Sequence, residues 1–69
     1  MTEEQFIAVL LEITLKEAQL LVIQAVDLVQ ALQQKNFQHA FSNYEPLIER
    51  VQFLRGMLLR AVNTTTRPN

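Results

Sequence analysis

From Phe6 to Leu32, nineteen of twenty-seven residues are apolar. They come in runs such as Phe6-Ile7-Ala8-Val9-Leu10-Leu11 and Leu20-Leu21-Val22-Ile23. No two-residue alternation of a half-buried strand is present. A surface helix needs an apolar stripe a little over 100° wide. This stretch exceeds that width, so the pattern predicts a helix covered on more than one side.

Leu, Ala, Gln and Glu are abundant and there is one glycine, which points to an all-α chain. Thr2 followed by Gln5 spells a capping box, so the first helix should start near Glu3. It should run to about residue 34, within the polar stretch Gln33-Gln34-Lys35-Asn36. Pro46 suits a first helical turn, and Ser42 with Glu45 spells a second capping box. A second helix is therefore expected over about 46–62. Residues 63–69 are polar and contain Pro68; they are expected to be a disordered tail. Between the helices, Asn36 can cap a short helix over about 37–44, with Phe37, Ala40, Phe41 and Tyr44 on one side; a loop is the alternative.

Leu11, Leu15, Ala18, Val22, Ala25, Val29 and Leu32 recur at 4-3-4-3-4-3 spacing. Leu47, Val51, Leu54, Leu58 and Ala61 do the same in the second helix. Such heptad spacing keeps a narrow seam against a partner helix. The expected fold is an antiparallel helical hairpin over residues 1–62, with Leu32 near Leu47 and Ala18 near Ala61. The alanines would make room for the leucines, as dense packing requires.

Many apolar residues fall outside these seams. The helices are also expected to differ in length, at about 48 Å and about 25 Å. The start of the first helix, at Phe6, Ile7, Leu10 and Leu11, would then overhang its partner unless residues 37–45 extend the second helix. A second protein should cover it, either a second copy completing a four-helix bundle or a different client. The expected contact residues are Phe6, Ile7, Leu10, Leu11, Ile13, Leu20 and Leu21 on the first helix, with Phe53, Met57 and Leu59 on the second.

Size strengthens the case for a companion. A chain of 69 residues makes one small domain, and such cores often need a disulfide, a metal or another subunit. There is no cysteine and His39 is the only histidine, so neither a disulfide nor a histidine-built metal site is expected. Absent cysteine fits a reducing, cytoplasmic setting. The net charge of −1 gives no long-range pull toward nucleic acid or membrane. Residues 1–34 hold five acids against Lys16, and residues 35–69 hold five bases against Glu45 and Glu49. That asymmetry suits antiparallel neighbours. The longest apolar run is six residues, far short of the roughly 20 of a membrane span. The acidic start does not read as a signal peptide.

No set of side chains spells an active site. His39 and Ser42 stand one helical turn apart, but no glycine-rich turn or oxyanion donor accompanies them. Glu12 and Lys16 read as a surface ion pair. The remaining acids scatter around the helix without a Glu-x-x-His motif, and Asp27 projects toward the polar strip. Phe37, Phe41, Tyr44 and Phe53 would fill the closed end of the hairpin or anchor a binding site.

The segment Asn36-Phe37-x-x-Ala40-x-x-x-Tyr44 resembles the second helix of a tetratricopeptide repeat. No second copy follows at a period of about 34 residues. In size, charge and helix content the chain is similar to small secretion-system and flagellar helical chaperones. The expected function is a non-enzymatic, chaperone-like, adaptor or assembly subunit without cofactor or small-molecule substrate. The alternative is a dimeric nucleic-acid-binding regulator using Arg50, Arg55 and Arg60. Their spacing of five turns successive residues by about 140°, so they do not form one straight basic stripe.

Overall fold

The computed structural model describes residues 2–65. It is an all-α hairpin of two antiparallel helices, α1 (Glu3–Gln33) and α2 (Phe37–Thr65). The capping box at the start of α1 is present. The Gln5 amide donates to Thr2 Oγ1 at 3.1 Å and the Thr2 amide to Gln5 Oε1 at 2.9 Å.

The connection is three residues long and explains why α2 starts early. Lys35 takes φ 58°, the left-handed conformation that commonly ends a helix. The Lys35 amide then donates to the Leu32 carbonyl at 3.0 Å and the Asn36 amide to the Ala31 carbonyl at 2.8 Å. These two bonds make a Schellman motif. Asn36 also caps α2, its Oδ1 accepting from the His39 amide at 3.1 Å. One asparagine thus closes the first helix and opens the second.

Several expectations from sequence are corrected. The second helix begins at Phe37 rather than near residue 46: Asn36 caps it and residues 37–44 are helical as expected, but they run on into the rest of α2 without a break. Pro46 lies inside α2. It removes one backbone donor, but the inward-facing Ala40 and Asn43 already hold that part of α2 against α1, and this outweighs the local cost. Ser42 caps nothing; its hydroxyl donates to the Gln38 carbonyl at 3.0 Å. The helix also passes residue 62. The Thr64 and Thr65 hydroxyls donate to the Arg60 and Ala61 carbonyls at 2.8 Å. Residues 66–69, the rest of the expected tail, lie outside the described residues.

The overhang disappears as well. The helices have 31 and 29 residues, so α2 reaches the start of α1. Leu10 is buried there at 6% exposure.

The largest correction concerns the seam. The line of α1 that meets α2 is Ile7, Leu10, Thr14, Glu17, Leu21, Gln24, Leu28 and Ala31, all buried or half-buried. Its counterpart on α2 is Ala40, Asn43, Leu47, Arg50, Leu54, Met57, Ala61 and Thr64. Both keep heptad spacing, but the α1 line stands one residue before the expected one. Leu11, Leu15, Val22, Val29 and Leu32 are therefore exposed, as are Val51 and Leu58 of α2. The expected neighbours Leu32–Leu47 and Ala18–Ala61 give way to a different register. Thr14 Oγ1 stands 4.0 Å from Met57 Sδ, and Asn43 bonds to Asp27.

Candidate partner interface

Each contact line has a second line one residue further along the helix. On α1 this outer line is the expected seam, Leu11 to Leu32. On α2 it is Phe41, Tyr44, Ile48, Val51, Arg55, Leu58 and Val62. One residue is a turn of about 100°. Two antiparallel helices rotated by the same angle from their shared contact present these lines to the same side. A groove on the α2 side of this face is lined by Leu21, Val51, Leu54, Arg55, Leu58 and Val62. The result is one broad apolar face running along the whole hairpin. Val22 is 62% exposed at its middle, with Leu11 at 65% and Phe41 at 74% toward its ends. Arg55 is the one charged residue in the two lines.

The contact lines themselves are more polar than the face outside them. Arg50 of α2 reaches across to α1, where Nε donates to Gln24 Oε1 at 2.7 Å and Nη1 to the Glu17 carboxylate. The Arg50 and Glu17 side chains are each about one-quarter exposed. Thr14 turns its hydroxyl back to the Leu10 carbonyl at 2.6 Å. Only Leu10, Ala31, Ala40, Leu54 and Met57 are buried among the described residues. The core is therefore a thin string of side chains with a polar layer across its middle.

The opposite side of the hairpin is mixed. Near the turn, the Asn43 amide donates to Asp27, and His39 Nε2 lies 3.2 Å from Asp27 Oδ2, an ion pair when the imidazole is protonated. The His39 ring also meets Asn43 at 3.1 Å. Ser42 spends its hydroxyl on Gln38 instead. At the open end, Phe6, Leu10, Ile13, Phe53 and Met57 line a mostly apolar groove edged by Arg60.

The ten expected contact residues divide among these regions. Leu10 and Met57 are buried between the helices because α2 covers the start of α1, and both form part of the lining of the open-end groove. Ile7 and Leu21 are half-buried on the contact line. Leu11 belongs to the broad face and Leu59 borders its groove. Phe6, Ile13 and Phe53 surround the open-end groove, and Leu20 is half-buried. Leu15, Val22, Val29, Phe41 and Leu58 fall outside the ten. The heptad pattern marks most of these but implies a place inside the hairpin, where the structure exposes them.

The arginines of the alternative reading point three ways. Arg50 is engaged between the helices, Arg55 borders the broad face, and Arg60 borders the opposite groove. Among the described residues no three His, Cys, Asp or Glu side chains gather to hold a metal. No helix of the described residues is long and apolar enough to cross a membrane. In comparisons with known proteins, no family model, curated protein or solved structure matches the chain.

Proposed function

We propose that the chain is a non-enzymatic protein–protein interaction module, a small chaperone-like, adaptor or assembly subunit. It works by burying the broad face of the hairpin against another protein surface. The observation that carries this reading is the inversion of polarity. The face turned outward is apolar along both heptad lines except at Tyr44 and Arg55 of α2, while the line turned inward contains Thr14, Glu17, Gln24, Asn43 and Arg50. A contiguous apolar surface of this extent marks an interaction site on a soluble domain. Its two lines, set about 100° from the intramolecular contact, match the near-right-angle neighbours of a four-helix bundle.

Affinity capture with the tagged full chain tests this reading, with Val22→Glu as the face variant and Lys16→Glu as the control. The expected result is that Val22→Glu loses the bound protein, whether an untagged copy or another chain, while Lys16→Glu keeps it. Far-UV circular dichroism should show helicity unchanged in both. A Val22→Glu protein that retains everything the wild type retains would refute the interaction reading.

A further inference from the structure

Resting on that reading, we infer that the occupant of the broad face is a second copy of this chain, packed with the two turns at opposite ends. Three observations favour this. The outer lines are self-matching. Reading outward from Val22 on α1, Ala18 and Ala25 come first, then Leu15 and Val29, then Leu11 and Leu32. An isologous two-fold interface needs this kind of match, because each position must accept its own symmetry mate. On α2, Phe41 mirrors Leu58 and Tyr44 mirrors Arg55 about a point between Ile48 and Val51. The hairpin register places that point level with Val22, as the contacts Thr14–Met57 and Asp27–Asn43 show. One axis therefore serves both helices.

The distribution of bulk selects the orientation. The rings of Phe41 and Tyr44 lie in the turn half of α2 and the smaller Leu58 in the open half. With turns at opposite ends, Phe41 meets the smaller Leu58 and Tyr44 meets Arg55, a cation beside a ring, so the rings are spread along the layer. With turns at the same end, all the rings crowd one half. The opposite-end arrangement also brings Glu4, in the acidic first turn of one copy, toward the Lys35 turn of the other, and sets helix starts beside helix ends. The area is adequate too. The hairpin measures 53 × 18 × 15 Å, and its broad side exceeds the roughly 800 Å² per partner of a standard stable interface.

The absence of native cysteine makes placed thiols a clean test. Single-cysteine chains Val22→Cys, Phe41→Cys and Leu58→Cys are treated at micromolar concentration with a short bis-maleimide, and helicity is checked by circular dichroism. Val22→Cys is expected to link to itself across the axis. Phe41→Cys alone should not, because the two sites would lie about 25 Å apart along the bundle. Phe41→Cys refolded together with Leu58→Cys should link. Self-linking of Phe41→Cys without the mixed product would overturn the orientation. Helical chains that give no linked product at any position, Val22→Cys included, would overturn the second-copy assignment. In that event a foreign protein still lost by Val22→Glu in the capture experiment would leave the interaction reading standing.

Discussion

The two heptad lines of α1 differ by one residue and by nearly everything else. The line facing α2 carries Thr14, Glu17 and Gln24 and is covered; the line beside it carries only Leu, Val and Ala, and all of it but the half-buried Ala18 and Ala25 is exposed. Burying the second line would remove more apolar surface from water. The hairpin buries the first because its short turn leaves little choice. Lys35 in its left-handed conformation and Asn36, shared by both helices, set where α2 starts and which side of α1 it meets. The intramolecular contact thus provides register and the outer face provides area. Glu17, Gln24 and Arg50 pair only at one sliding position of the two helices, which suits a register device.

The largest expected contrast is between Leu54→Ala and Leu15→Ala. Leu54 is buried in the contact, and its truncation should cost about 2–4 kcal/mol in urea unfolding at any chain concentration. Leu15 is 55% exposed on the single hairpin. Its truncation should cost under about 0.5 kcal/mol in dilute solution, and more as concentration rises, because only the assembled state covers it. Equal, concentration-independent losses would erase the distinction between the lines.

Arg50→Ala sharpens the role of the polar layer. It leaves Glu17 and Gln24 half-buried without their partner, so a loss of about 1–3 kcal/mol is expected by denaturant titration. Replacing both charges, Arg50→Leu with Glu17→Leu, should cost less than the single change. If the double variant is the less stable, the pair stabilises more than it positions.

Two backbone changes probe α2 with neither line disturbed. Pro46→Ala restores a helical donor at an exposed interior position and should raise stability by about 2 kcal/mol. Gly56→Ala should raise it by about 0.5–1 kcal/mol, because a Cβ there meets nothing within 4 Å. Both are read as shifts of the thermal midpoint. A loss of stability in Pro46→Ala would mean that α2 relies on a bend at this point.

Much of the hairpin is legible in the sequence, and the misses have physical causes. The Thr2–Gln5 capping box, the end of α1 near the glutamines and the antiparallel pairing all follow from local signals. Pro46 misleads because packing against α1 outweighs its local cost. The seam misleads for a different reason. Hydrophobicity ranks Leu11 to Leu32 as the better contact, yet two lines with the same spacing differ only by the rotation the turn imposes. Lys35 and Asn36 end α1 and start α2 at fixed positions, and Arg50 finds Glu17 and Gln24 only on the observed line. The surplus of apolar surface is visible from sequence alone; its assignment to the overhanging start of α1 is corrected by Leu10 and Met57, which the hairpin already uses.

The most direct measurement is the mass of the full chain in solution at micromolar concentration, by sedimentation equilibrium, with circular dichroism on the same samples. The expected mass is twice the 8.0 kDa of one chain for the wild type and that of a single chain for Val22→Glu. A wild type that stays fully helical at 8.0 kDa, unaltered by Val22→Glu, would contradict it.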